Sequence, residues 1–108
     1  MRLPADTAIA RQKLSGYLLR RREDHDKAGF LALAGYAAAH ASQLEADLRT
    51  QILPCPAEAA GATPYGDKFV IRGNLRGPNG RILRVLSVWM REKLTGQTKF
   101  ITLYPDPS

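Results

Sequence analysis

Cysteine and histidine, which build many metal and acid–base centres, are nearly absent from this 108-residue chain: it has one cysteine, Cys55, and two histidines, His25 and His40. A single thiol excludes an internal disulfide and points to a reducing compartment. One cysteine and two histidines fifteen residues apart supply no zinc ligand set, and the acids are too scattered for a two-metal centre, so no metal is expected. The glycines at 61, 66, 73, 77, 80 and 96 follow neither phosphate-loop nor dinucleotide spacing, so no nucleotide cofactor is expected. No apolar run approaches a membrane span, and Met1 to Ala10 lacks the apolar core of a signal peptide. A cytoplasmic protein with no membrane partner is the expectation.

Acid is also scarce where base is plentiful. Between Lys68 and Lys99 the chain carries eight of its sixteen Lys and Arg residues against one acid, Glu92, within a net charge of +6. Such a bias favours a polyanionic partner, nucleic acid foremost.

The same stretch reads as an antiparallel meander. Lys68 to Arg76 and Arg81 to Arg91 flank Gly77-Pro78-Asn79-Gly80, in which proline is preset for a turn and Gly80 is free to take positive φ. A three-residue loop with a bulge at the glycine pairs Gly77 with Arg81. Leu75 then faces Leu83, Gly73 faces Val85, Ile71 faces Ser87 and Phe69 faces Trp89, which is an apolar side. The other side pairs Arg76 with Ile82, Asn74 with Arg84, Arg72 with Leu86, Val70 with Val88 and Lys68 with Met90, a basic platform with aliphatic residues among the charges. A third strand, Lys99 to Tyr104, follows a turn near Thr95-Gly96-Gln97. A three-residue loop there opposes Met90 with Thr102 and Val88 with Tyr104, placing both hydroxyls on the basic side; a Gly96-Gln97 loop sends them to the core.

Upstream the period changes to about 3.6. His25 to Ala34 is a short helical candidate with Asp24 or Asp26 as cap, and Ala8 to Leu19 holds another turn or two, broken near Gly16. Ser42 to Leu53 is better defined. Ser42-Gln43-Leu44-Glu45 matches a capping box, Leu44, Leu48 and Ile52 share a stripe, and Pro54 closes the segment. Cys55 to Thr63 reads as a connector or weak edge strand. One domain over residues 1–108 follows, with an α+β fold: N-terminal helices, about 8–53, packed on the Leu75/Leu83/Trp89 face of a C-terminal antiparallel sheet of about four strands, about 65–105.

Arg72, Arg76, Arg84, Lys68 and Asn74 share the basic side, and several donors on one surface suit phosphate. Solvation of an exposed sheet is the plainer reading, but Val70, Leu86, Val88 and Met90 would then leave an apolar patch bare. His25 titrates near neutrality among charged neighbours and is the acid–base candidate, or else an incidental residue at a solvated helix start. Lys27 suits a phosphate contact or a surface charge; His40 reads as a loop or helix-end residue. Thr102 and Tyr104 suit hydrogen bonds to a phosphate or simple strand propensity.

Lys13-Leu14-Ser15-Gly16-Tyr17-Leu18-Leu19, His25, Lys27-Ala28-Gly29-Phe30, Gly35-Tyr36, Gly80-Arg81, Ser87-Val88-Trp89 and Thr102-Leu103-Tyr104-Pro105, in that order, resemble a family of small bacterial proteins known only as a domain of unknown function. That family in turn resembles the barnase, EndoU, colicin and RelE group of ribonuclease toxins. The resemblance implies helices against an antiparallel sheet, RNA cleaved on the open sheet face without metal, and a meeting of the His25/Lys27 segment with the Thr102/Tyr104 strand. It favours the three-residue second turn. Arg81 matches the family's Gly-Arg pair, while the loop between histidine and lysine is shortened here to Asp26 alone. The implied catalytic set is His25, Lys27, Arg81, Thr102 and Tyr104; the implied partners are RNA and a small acidic antitoxin or immunity protein. A 2′-hydroxyl would attack the adjacent phosphorus, with His25 as base or acid and Lys27 and an arginine holding the developing charge. Two other functions fit the residues: a nucleic-acid-binding module without catalysis, and an interaction protein that docks an acidic partner.

Overall fold

Alternating apolar and polar residues organise the C-terminal half of the chain into one antiparallel sheet in the computed structural model, which describes residues 1–19 and 27–107. Its strands are β1 (Glu58–Thr63), β2 (Gly66–Arg76), β3 (Ile82–Glu92) and β4 (Thr98–Pro105), adjacent in that order. The β2–β3 register is the one counted from a three-residue loop: Leu75 opposes Leu83, Gly73 Val85, Ile71 Ser87 and Phe69 Trp89. Gly77 donates to the Arg81 carbonyl at 3.0 Å, and Gly80 has φ of 86°. The apolar side is buried, and its polar atoms are satisfied: Trp89 Nε1 donates to Ser87 Oγ at 2.8 Å, and Ser87 Oγ donates to the Ile71 carbonyl at 2.8 Å. Phe100 meets Trp89 edge to face, with ring centroids 5.1 Å apart. β1 is an exposed edge strand with a bulge between Ala59 and Ala62, an irregularity that blunts an open edge.

The turn between β3 and β4 differs from both lengths considered from the sequence. Glu92 donates to the Gln97 carbonyl and Gly96 to the Glu92 carbonyl, each at 2.9 Å, enclosing Lys93, Leu94, Thr95 and Gly96. This sets Met90 opposite Lys99 and Trp89 opposite Phe100. The register then slips by one residue, so that Val88 opposes Thr102, Ser87 Leu103 and Leu86 Tyr104. Ile101 is the extra residue of a β-bulge. At the other side of β4, Ala8 donates to the Thr98 carbonyl at 2.9 Å and accepts from Phe100 N–H at 2.8 Å, covering part of the edge.

The expectation of an α+β fold with a layer of N-terminal helices on one sheet face is corrected. The described residues form a four-strand antiparallel sheet and a few short helical segments, mostly ahead of it in sequence, one of them of 15 residues. These are α1 (Arg11–Lys13), continuing as a π turn over Leu14–Leu18; α2 (Lys27–Ala32); and a 3₁₀ turn, Ala38–His40, leading into α3 (Ala41–Asp47) and a π turn, Leu48–Ile52. Among the described residues, only Leu48–Ile52 packs broadly on a strand, β2, where Gln51 brackets the Arg76 peptide: its Oε1 accepts from Arg76 N–H at 2.7 Å and its Nε2 donates to the carbonyl at 3.1 Å. Short segments barely outlast the cost of helix nucleation, so they deliver buried side chains, Leu14, Leu18, Leu31 and Ala34, without forming a layer. The break expected near Gly16 is absent, since Gly16 lies within the continuous Arg11–Leu18 stretch, and α2 ends ahead of Gly35. The capping box is corrected too. His40 occupies the N-cap position, its Nδ1 accepting from Ala37 N–H at 2.9 Å, and Ser42 lies inside the first turn. The stripe of Leu44, Leu48 and Ile52 is buried as expected. The proposed caps Asp24 and Asp26 lie outside the described residues.

The β2–β3 turn and the end of α2 are locked together. Asn79 donates from its backbone to the Ala34 carbonyl at 3.1 Å and from Nδ2 to the Leu33 carbonyl at 3.1 Å, while Oδ1 accepts from Arg81 N–H at 2.9 Å. A Cβ on Gly77 would stand 2.2 Å from the Ala34 carbonyl oxygen, so only glycine lets the turn approach. Gly77→Ala is therefore expected to destabilise the protein by about 1–3 kcal/mol, the usual cost of overpacking, measured by urea unfolding. Wild-type stability in that variant would show that the contact is slack.

Candidate active site

Local alternation alone would send Thr102 and Tyr104 into the core, because Lys99 lies outward opposite Met90 and Phe100 inward opposite Trp89. The bulge at Ile101 reverses the parity. Thr102 emerges beside Val88 and Tyr104 beside Leu86, on the side that carries the arginines, while Leu103 takes the buried position. Lys27, first residue of α2, reaches this side across 75 positions of sequence: its Nζ donates to Thr102 Oγ1 at 2.6 Å and stands 4.5 Å from the centroid of the Tyr104 ring. The contact combines a charge-assisted hydrogen bond with a cation–π interaction. Thr102 is 7% exposed and Tyr104 44%, so the hydroxyl is recessed and the ring is open to solvent.

Rows across β2, β3 and β4 map the rest of this outer face. Lys68, Met90 and Lys99 form one row; Val70, Val88 and Thr102 the next; then Arg72, Leu86 and Tyr104; Asn74 and Arg84; and Arg76 and Ile82 nearest the turn. Arg72, Asn74, Arg76 and Arg84 are exposed, and Val70, Leu86, Val88 and Met90 are half-buried. Lys99 pairs with Glu92 at 3.4 Å. Arg81 lies in the turn, exposed, with its backbone N–H held by Asn79; no contact joins it to Lys27 or Thr102 among the described residues. His25 lies outside the described residues. His40 is remote in role, committed to the start of α3. Lys99 is the face residue that sequence reasoning missed; it lay within the basic stretch, but the length of the turn before it could not be read.

Chemically, the cluster offers a cation fixed on a threonine oxygen, a threonine proton left free to point toward a bound oxygen, and a phenol on a rim of guanidinium donors. Such a set can hold an oxyanion and stabilise charge that develops on it. A second polar cluster is structural. Buried Tyr36 donates to Asp47 Oδ2 at 2.5 Å, and Gln43 Nε2 donates to Oδ1 at 2.9 Å, with the phenol 3.3 Å from the Arg76 carbonyl. Burial first, then the hydrogen bond to Asp47 and that carboxylate's charge, hold the Tyr36 phenol far above its ordinary range, so it stays protonated and bonded.

Among the described residues, no helix is long and apolar enough to cross a membrane. The sequence pattern of a domain of unknown function, DUF6883, matches residues 4–107. No curated protein and no solved structure matches.

Proposed function

We propose that this chain, which belongs to the DUF6883 family, is a metal-independent endoribonuclease that cleaves RNA by transesterification, acting in the cytoplasm as a toxin that a small acidic protein neutralises by covering the basic face. The observation that carries the reading is the meeting of Lys27, Thr102 and Tyr104 on the arginine-bearing side of the sheet. Independence from metal rests on the poverty of metal donors in the sequence.

In the reaction, a base takes the proton of a ribose 2′-hydroxyl and the freed oxygen attacks the adjacent phosphorus. The bond to the 5′-oxygen breaks as an acid protonates that oxygen, leaving a 2′,3′-cyclic phosphate. Lys27 and a neighbouring arginine hold the negative charge that builds on the non-bridging oxygens, and Thr102 and Tyr104 orient the phosphate. His25, two residues before Lys27, serves as base or acid.

Purified protein is expected to cut single-stranded RNA to fragments with 2′,3′-cyclic phosphate ends, undiminished by a chelator, and to leave all-deoxy strands intact because they lack the nucleophile. Products ending in 3′-hydroxyl, or a requirement for added metal, would remove the proposal. A second reading, binding without catalysis, is favoured by the commitment of His40, the one described histidine, to a helix start. It predicts salt-sensitive RNA binding with no product under any condition.

A further inference from the structure

We propose that the outer face carries a one-sided phosphate track, running from Lys27/Thr102 toward the Gly77–Gly80 turn and seating single-stranded RNA on one side of the scissile bond only. The position of that bond rests on the endoribonuclease reading; the track itself needs only the face.

The charges on the face are unevenly placed about the row of Val70, Val88 and Thr102. Toward the turn lie Arg72, Arg84 and Arg76, with Arg81 at the end, all exposed and none with a side-chain hydrogen bond or ion pair among the described residues. In the other direction lie Lys68 and Lys99, both half-buried, and Lys99 is joined to Glu92 at 3.4 Å. Glu58 of β1 stands opposite Val70 and adds a carboxylate to the row itself. Unpaired guanidinium groups, whose planar forks match phosphate, therefore occupy one half of the face.

Spacing agrees with successive phosphates. Arg72 lies two residues along β2 from Val70, about 7 Å, and Arg84 lies four along β3 from Val88, about 14 Å. Between the guanidinium groups, half-buried Leu86 and exposed Ile82 offer apolar surface to unstacked bases. A duplex would keep its bases away from such a floor; a single strand can lay them on it. The footprint is about three to four nucleotides.

The test uses 2′-O-methyl oligoribonucleotides, which cannot react, as a dinucleotide, a tetranucleotide and a hexanucleotide. The tetranucleotide is expected to bind about tenfold tighter than the dinucleotide at low salt, with little further gain for the hexanucleotide. The exposed double variant Arg76→Ala/Arg84→Ala should lose that gain and keep the dinucleotide's affinity, and Lys68→Ala should keep the gain. Deoxy strands carrying a single ribose should be cut with a lower KM when lengthened on one side of it alone. Equal benefit from both sides, or a double variant that binds the tetranucleotide as wild type does, would overturn the track. Length-dependent, arginine-dependent binding with no scission at the ribose would keep the track and remove the nuclease.

Discussion

Lys27→Ala is expected to reduce RNA cleavage by about 10²–10³-fold, the usual loss when one preorganised donor to a developing oxyanion is removed. The nitrogen is held on Thr102 Oγ1 at 2.6 Å and over the Tyr104 ring, so it cannot swing away from a phosphate seated beside them. Placing it costs no reorganisation at the moment of reaction. The side chain contributes little to the core, because α2 is anchored by buried Ala28 and Leu31 and by the Asn79 contacts beyond its end. The variant should therefore melt close to wild type while its kcat falls. Thr102→Val keeps the volume and deletes the hydroxyl, and should lower kcat about tenfold with the Lys27 position loosened. His25→Ala separates acid–base catalysis from electrostatics: it should abolish the neutral-pH optimum of kcat, which Lys27→Ala should retain. Full activity in Lys27→Ala would end the assignment of this cluster.

Deleting Ile101 should remove the bulge and leave the sides of β4 in place. Without the extra residue, Thr102 would follow Phe100 directly, and the register set by the turn would run straight through β4 with every later residue on its present side. Leu103 would stay on the buried side opposite Ser87, and Thr102 and Tyr104 on the outer side opposite Val88 and Leu86, so the deletion should fold and keep the Lys27 contact. Flattening the bulge with Ile101 retained would instead turn Leu103 outward, and loss of a buried leucine costs about 2–5 kcal/mol, with each buried polar group left without a partner about 1–3 kcal/mol more. Together these approach the whole stability of a domain this size, about 5–15 kcal/mol. Urea unfolding and near-ultraviolet circular dichroism of Trp89 report the result, with Ile101→Ala, which retains the bulge, as the control expected to fold. A deletion that fails to fold, or that loses the Trp89 signal, would show that β4 needs the extra residue for more than its register.

The two positions differ in how far the sequence reveals them. The β2–β3 hairpin was legible residue by residue, because its alternation is unbroken from Phe69 to Leu86 and its turn contains Pro78 and Gly80, whose backbone preferences are strong. The basic face followed from the same counting. The second turn was illegible, since Thr95, Gly96 and Gln97 accommodate several loop lengths, and the bulge at Ile101 has no side-chain signature at all. Both hydroxyls lie on the basic face, as the three-residue turn would have placed them, but through a longer turn and a compensating extra residue. The helices failed differently. Periodic leucines identified which residues would be buried, yet burial does not require a helical layer when most of the segments that carry them are only one or two turns long.

By itself, then, the sequence determined the side of β2 and β3 on which the charge would stand, because side-chain direction in a strand is set by counting from a turn whose conformation a few residues dictate. Only the tertiary structure decided that Lys27 would lie on Thr102 and Tyr104. Contacts between residues 75 positions apart depend on how α2 is clamped to the β2–β3 turn and on the bulge at Ile101 that lets both Phe100 and Leu103 take the buried side of β4. That arrangement is settled by packing, which no local pattern encodes.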